Sequence, residues 1–254
     1  MRCCLTHPLG VEVTGCPPLP AIDVETVGVI AGLLARHGVV VLPGQDIDDA
    51  GFVTFLAHFG RLTFTKGETP VAGFPDLNVV SNVGRTVAPR STFHVDTSYV
   101  AEPPTYTALR AVTIPAGGGE TLFTDQYAAY DTLDPSLRSR LEGRTITHVA
   151  TGVHLDAGDE ASAEHPVFRR HPVSGRTSLY LSTPQRCVSV SGMDLAESAE
   201  VVRALYEHST RAVNTHRHRW SPGDVVMWDN RCVLHRADHA GVVGDRVLHR
   251  GLVA

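Results

Sequence analysis

Apolar and polar positions alternate in short blocks that glycine and proline repeatedly interrupt. Val11 and Val13 alternate with polar neighbours between Leu9 and Gly15, which predicts a short first strand closed by Gly15-Cys16-Pro17-Pro18. Asp23 can cap a helix over about residues 24–37, with Val27, Ile30, Leu33 and Leu34 as its apolar stripe and Gly38 just past its end. The unbroken run Val39-Val40-Val41-Leu42 reads as a buried strand stopped by Pro43-Gly44. A second helix follows Asp46 or Asp48, presents Phe52, Phe55, Leu56 and Phe59, and stops at Gly60.

From Arg61 onward the pattern loosens, and Leu77-Asn78-Val79-Val80 is its most strand-like piece. The polar run Gly84–Arg90 predicts a loop. Strand signals follow at Tyr106–Val112 and Glu120–Phe123, on either side of the turn Pro115–Gly119. Two short helices are expected, around 126–131 and from Asp134-Pro135 to Leu141. Residues 152–165 read as a mobile segment. Val167–Arg169 and Ser178–Leu181 read as strands, about 196–209 as a helix, and Val225–Trp228, Cys232–His235 and Arg246–Arg250 as closing strands. No repeat or linker breaks the chain, so one domain over residues 1–254 is expected. Many short strands with a few flanking helices indicate a mainly β sandwich or jelly roll, whose inward faces taper toward one open end.

Composition narrows the class. Of 254 residues, 43% are hydrophobic and 19% charged, which is ordinary globular usage. A net charge of −5 leaves no basic footprint for nucleic acid, and no apolar run is long enough for a membrane span. The five cysteines, Cys3, Cys4, Cys16, Cys187 and Cys232, have no framework spacing and read as reduced thiols of a cytoplasmic protein. Met1–Pro8 lacks the apolar core of a signal peptide and reads as a frayed terminus.

The candidate chemistry starts at Phe93-His94-Val95-Asp96-Thr97-Ser98-Tyr99. In an extended segment residues i and i+2 share a side, so His94 and Asp96 can converge on one point. They supply two thirds of a 2-His-1-carboxylate set, which leaves open positions and suits non-heme Fe(II). In a chain with 14 histidines such a pair has little specificity alone, and a satisfied surface or core histidine is the commoner explanation. Trp228–Asp238 offers the third candidate, His235. Arg246, Leu248 and Arg250 then fall on one strand face, the arginines roughly 13 Å apart at their Cα atoms. They are either two exposed arginines on an edge or two separate anion-binding positions, since burying them without anions is costly.

With these pieces in place the chain resembles the taurine/2,4-D dioxygenase family of Fe(II)- and 2-oxoglutarate-dependent oxygenases along nearly its whole length. The resemblance is carried by Pro8–Gly15, His37–Gln45, Phe59-Gly60, Gly118–Phe123, His171–Gly175 and Trp228-Asp229-Asn230-Arg231. It implies a double-stranded β-helix, with His94, Asp96 and His235 as iron ligands. It also implies that Thr121 and Arg246 hold the distal carboxylate of 2-oxoglutarate and that Arg250 pairs with an anionic substrate. The family reaction consumes O2 and 2-oxoglutarate, releases succinate and CO2, and oxidises the substrate. Because related halogenases lack the carboxylate ligand, Asp96 favours hydroxylation or another oxidation.

The departures bear on the substrate. Thr65 and Glu68 fall where taurine enzymes use a His and a Tyr, and Arg90 falls where they use an Asn. A small anionic metabolite with a second acidic group near Arg90 is therefore expected; the other reading of Arg90 is a solvated loop arginine. Family members are commonly oligomers, so a homo-oligomer is an expectation of the resemblance alone. Two rival readings remain, a non-catalytic metal-binding or sensing jelly roll and a Zn(II) hydrolase with the same ligands. Neither has a use for Thr121 and Arg246 together.

Overall fold

The structure is a computed structural model, and it describes residues 1–84 and 91–254. Arg90, one of the expected substrate contacts, lies outside the described residues.

A nine-stranded sheet forms the larger face. Its path runs Arg2–Leu5, Val11–Thr14, Val39–Leu42, Val225–Asp229, Tyr106–Thr113, Val247–Val253, Phe74–Ser81 and Pro70–Val71, with Leu62–Thr63 also paired to Val247–Val253. A three-stranded sheet of Thr215–His218, Thr121–Asp125 and Val233–Ala237 faces it. A second small sheet joins Ser162–Pro166, Thr145–Val149 and Cys187–Val190, and Phe168–Arg170 pairs with Thr177–Leu179.

The run Val39–Leu42 is apolar at every position because both of its faces are covered. Val39 and Val41 enter the core between the sheets, with Leu109, Phe123, Trp228, Val233 and Leu248. Val40 and Leu42 enter a separate core on the outer face, against Ile30, Leu34, Phe52, Phe55 and Leu56 of two helices. Period-two alternation sends neighbouring side chains to opposite layers, so a strand between two layers has no polar side.

Those helices end where their capping residues dictate. Asp23 accepts from the Thr26 N–H at 2.8 Å and opens Val24–His37, and Gly38 closes it at φ +75° by donating to the Leu34 carbonyl. Asp48 caps Asp49–Ala57 in the same way. The second helix lies so close to the sheet that a Cβ on Gly251 would meet Leu56 Cδ1 at 2.1 Å. Only glycine fits at that point of the Val247–Val253 strand.

The same alternation decides where the two arginines go. On Val247–Val253, His249 faces the helix layer and reaches Asp49 at 2.7 Å. Arg246, Leu248 and Arg250 therefore face inward between the sheets, and Arg246 and Arg250 are only 1% and 9% exposed. The strand has a neighbour on each side, so the exposed-edge reading of these arginines is overturned.

Three further expectations need correction. The amino terminus is not frayed: Arg2–Leu5 pairs in antiparallel register with Val11–Thr14, although its side chains are exposed. Residues 152–165 are not one irregular stretch, because Ser162–Pro166 pairs with Thr145–Val149. His94–Asp96 is not a continuous strand either. His94 makes one isolated bridge, and Thr97 then turns the chain at φ +45°, a left-handed conformation uncommon for a β-branched residue. Among the described residues, no helix is long and apolar enough to cross a membrane.

Candidate active site

The two histidines are brought together by backbone pairing. The His94 N–H donates to the His235 carbonyl at 3.0 Å, and the His235 N–H returns a bond to His94 at 3.1 Å. Their rings lie 4.3 Å apart between centroids. Asp96 Oδ1 is 3.6 Å from His94 Nε2, and Asp96 Oδ2 is 3.6 Å from His235 Nε2. One donor atom from each of the three lies within 4.8 Å of the others. Such a cluster of two imidazole nitrogens and one carboxylate can hold a divalent metal and still leave coordination positions open.

The surrounding groups present these atoms in the right state. His94 Nδ1 lies 2.9 Å from the Thr92 carbonyl, which fixes its proton there and leaves Nε2 as a donor to metal. Burial pushes His235 down to about 3 despite the opposing charge of Asp96, so its imidazole is neutral. Burial by itself would raise the Asp96 carboxyl, but the Arg250 guanidinium above all, with a hydrogen bond from His94, outweighs it and holds the group well below its ordinary range. Thr107 Oγ1 donates to Asp96 Oδ2 at 2.9 Å. Asn230 Nδ2 donates to that hydroxyl at 2.8 Å, and Trp228 Nε1 to Asn230 Oδ1 at 3.1 Å. Trp228 also packs against the His235 ring, 4.5 Å between centroids. Trp228 and Asn230 thus brace the site and fill the core at once.

Thr121 and Arg246 form a second cluster, deeper between the sheets. Arg246 Nε donates to the Gly119 carbonyl at 2.7 Å and Nη2 to Thr121 Oγ1 at 3.2 Å. Nη1 is buried with no hydrogen-bond partner among the described residues. Thr121 Oγ1 also accepts from Trp220 Nε1 at 3.0 Å, which leaves its own proton available to an acceptor. Gly119 gives this arrangement room, since at φ +79° a Cβ would stand 2.9 Å from Arg246 Cδ. Among the described residues no carboxylate pairs with Arg246, and burial pulls its guanidinium down to about 10.

Arg250 differs. Nη1 donates to Asp96 Oδ1 at 3.2 Å, Nη2 lies 3.4 Å from Glu68 Oε1, and Nε has no hydrogen-bond partner among the described residues. It lines an open cavity of about 750 Å³ together with His94, Asp96, Thr65, Glu68 and Arg186. Arg186 was not singled out from the sequence. Its Nη1 donates to the Val95 carbonyl at 3.0 Å, inside the His94–Asp96 motif, and its Nε is buried without a hydrogen-bond partner among the described residues. Nothing local marked it, because Pro184-Gln185-Arg186 reads as a plain polar turn. The histidines without ligand spacing serve packing in several cases: His148, His165, His171 and His218 are buried away from the triad.

Residues 5–252 match the model of the family described as "Taurine catabolism dioxygenase TauD, TfdA family". The chain belongs to that family. It is 34% identical over 249 residues to the alpha-ketoglutarate-dependent 2,4-dichlorophenoxyacetate dioxygenase of Cupriavidus pinatubonensis, covering 87% of this chain and 86% of the relative. It is 31% identical over 260 residues to the alpha-ketoglutarate-dependent sulfate ester dioxygenase of Pseudomonas putida, covering 90% and 81%. The crystal structure of AAD-2 in complex with Mn(II) and N-oxalylglycine superposes with a TM-score of 0.84 at 27% identity, over 100% of this chain and 96% of that one. Dioxygenases of this kind use Fe(II), 2-oxoglutarate and O2, and their jelly-roll fold is the one described above.

Proposed function

We propose that the protein is an Fe(II)- and 2-oxoglutarate-dependent dioxygenase that hydroxylates a small anionic metabolite, with His94, Asp96 and His235 as iron ligands. The observation that carries the reading is the fully buried Arg246. A buried guanidinium with a hydroxyl beside it, and with one donor unpartnered and no acidic neighbour among the described residues, is costly without a counter-charge and well matched to a carboxylate. Thr121 and Arg246 would hold the distal carboxylate of 2-oxoglutarate. Bound iron supplies the activation of O2, coupled to loss of CO2 and formation of succinate.

The protein's own groups then have distinct tasks. Neutral His235 and the Nε2 atom of His94 offer lone pairs, and the ionised Asp96 offers charge. Thr107 restrains the Asp96 oxygen through its hydrogen bond. Arg250 would orient the substrate anion beside the metal, with Thr65 on the same cavity wall. The relatives named for aryloxy acids and sulfate esters act on anions of different shapes, which supports the anionic class without choosing a member. The whole chain would act as one domain in the cytoplasm, and its net charge of −5 gives no reason to invoke nucleic acid or membrane.

Anaerobic titration of metal-free protein with Fe(II) and then 2-oxoglutarate tests the reading. A visible charge-transfer band that weakens in Arg246→Ala is expected. Metal binding without any band would refute it.

A further inference from the structure

Glu68 lines the same cavity as Arg250, His94 and Asp96. Arg250 keeps two buried donor atoms, Nε and Nη2, without hydrogen-bond partners among the described residues. Glu68 Oε1 lies 3.4 Å from that same Nη2 and lines the same cavity. An anion seated on these donors would therefore lie within a few ångströms of a carboxylate. Like charges about 5 Å apart in a medium of effective dielectric about 20 cost about a hundredfold in affinity. Glu68 is 41% exposed, so solvent screening reduces this to roughly tenfold.

The loop carrying Glu68 is tied in place. The Glu68 N–H bonds the Thr65 carbonyl at 3.3 Å, and Lys66 Nζ reaches Asp156 and Asp159 at 2.6 Å each. Thr65, Thr92, Thr97, Thr151 and Thr183 also line the cavity, and Val153 and Tyr99 add apolar surface to it. The Thr65 and Thr97 hydroxyls are buried there without hydrogen-bond partners among the described residues.

We propose that Glu68 is a specificity-determining residue, selecting substrates that carry a cationic group next to the anion bound by Arg250. A zwitterion satisfies both members of the Arg250–Glu68 pair, whereas a simple acid leaves Glu68 facing its own charge. This inference rests on the placement of the substrate anion at Arg250 within the proposed function.

Calorimetry on protein loaded with Mn(II), in which no turnover occurs, separates the two. A first titration with 2-oxoglutarate tests the underlying site; absence of binding overturns both that reading and the role of Glu68. A second titration compares 4-aminobutanoate with butanoate on wild type, Glu68→Gln and Arg250→Ala. The wild type should prefer the amino acid by about tenfold. Glu68→Gln should erase the preference by binding butanoate more tightly and 4-aminobutanoate more weakly, and Arg250→Ala should weaken both. Intact 2-oxoglutarate binding with a Glu68→Gln protein that holds butanoate no better than wild type overturns the role of Glu68 alone.

Discussion

The Asp229 cluster and the Arg246 cluster each set a guanidinium against buried polar groups, yet they are opposites in charge balance. Asp229 and His171 are fully buried and 3.0 Å apart, and Arg231 closes on the same carboxylate through its Nε at 2.8 Å and its backbone N–H at 2.9 Å. Every charge there has a partner inside the protein. Among the described residues Arg246, next to a strand of the same sheet, has a carbonyl, a hydroxyl and an unpartnered donor but no carboxylate. A buried ion pair that is complete serves the fold, and one that lacks a member is a socket for a ligand. Arg250 lies between these extremes, with one arm on Asp96, another 3.4 Å from Glu68 and Nε without a hydrogen-bond partner among the described residues.

Removing one partner from the complete cluster should have the largest effect. Asp229→Ala would leave the half-buried Arg231 without its counter-charge and the buried His171 without its hydrogen-bond partner, and breaking such a cluster costs about 3–5 kcal/mol. Urea unfolding should report that loss, with Asp229→Asn as a milder companion. A loss below about 1 kcal/mol would mean that this cluster is not the structural member of the comparison.

Arg246→Met is the converse experiment. It removes an unpartnered charge, so the unfolding free energy of ligand-free protein should hold or rise, while 2-oxoglutarate affinity should fall by about a hundredfold or more. Calorimetry and urea unfolding on one preparation give both numbers. A stability loss as large as that of Asp229→Ala would erase the distinction.

Smaller changes refine it further. Thr107→Val removes the donor to Asp96 Oδ2 and should weaken metal binding by about tenfold, measured by chelator competition, without altering 2-oxoglutarate affinity at saturating metal. Thr121→Val keeps the shape but deletes one hydroxyl beside Arg246, and should cost about 1 kcal/mol, or about fivefold, in 2-oxoglutarate affinity. Equal losses of metal and cosubstrate affinity in both variants would show that the two clusters do not act separately.

The chain carried part of this contrast openly. His94, Asp96 and His235 stand in recognisable local patterns, and Arg246 and Arg250 share a strand face by simple alternation. What separates the two arginines was hidden, because Gly119, Asp96 and Glu68 reach them from remote stretches of chain. Thr107 gave no signal, since a threonine in a strand is ordinary. The capped helices were legible from Asp23, Gly38 and Asp48. Arg2–Leu5 and Thr215–His218 were not: their residues carry no apolar alternation, and strand pairing alone orders them. Thr145–Val149 did alternate, burying Ile146 and His148, but a histidine at a core position disguised the period.

The smallest effect is a pH dependence that again divides the clusters. Burial would raise the Asp229 carboxyl, but Arg231 and then His171 outweigh it and hold it below its ordinary value. A depressed carboxylate contributes stability that is fully present above its unfolded pKa of about 3.9 and is lost as pH falls through the folded value. The stability gap between wild type and Asp229→Asn should therefore be constant from neutrality to about pH 5 and narrow below about pH 4, by about 1.4 kcal/mol for each unit of depression. Arg246 has no carboxylate to protonate, so the gap between wild type and Arg246→Met should stay flat across the same window. Unfolding free energies at a series of pH values from 7 to 3 give both curves. An Asp229→Asn gap that stays flat or widens in acid would mean that the carboxylate is not held ionised by its neighbours, and the two clusters would then differ only in which residues they contain.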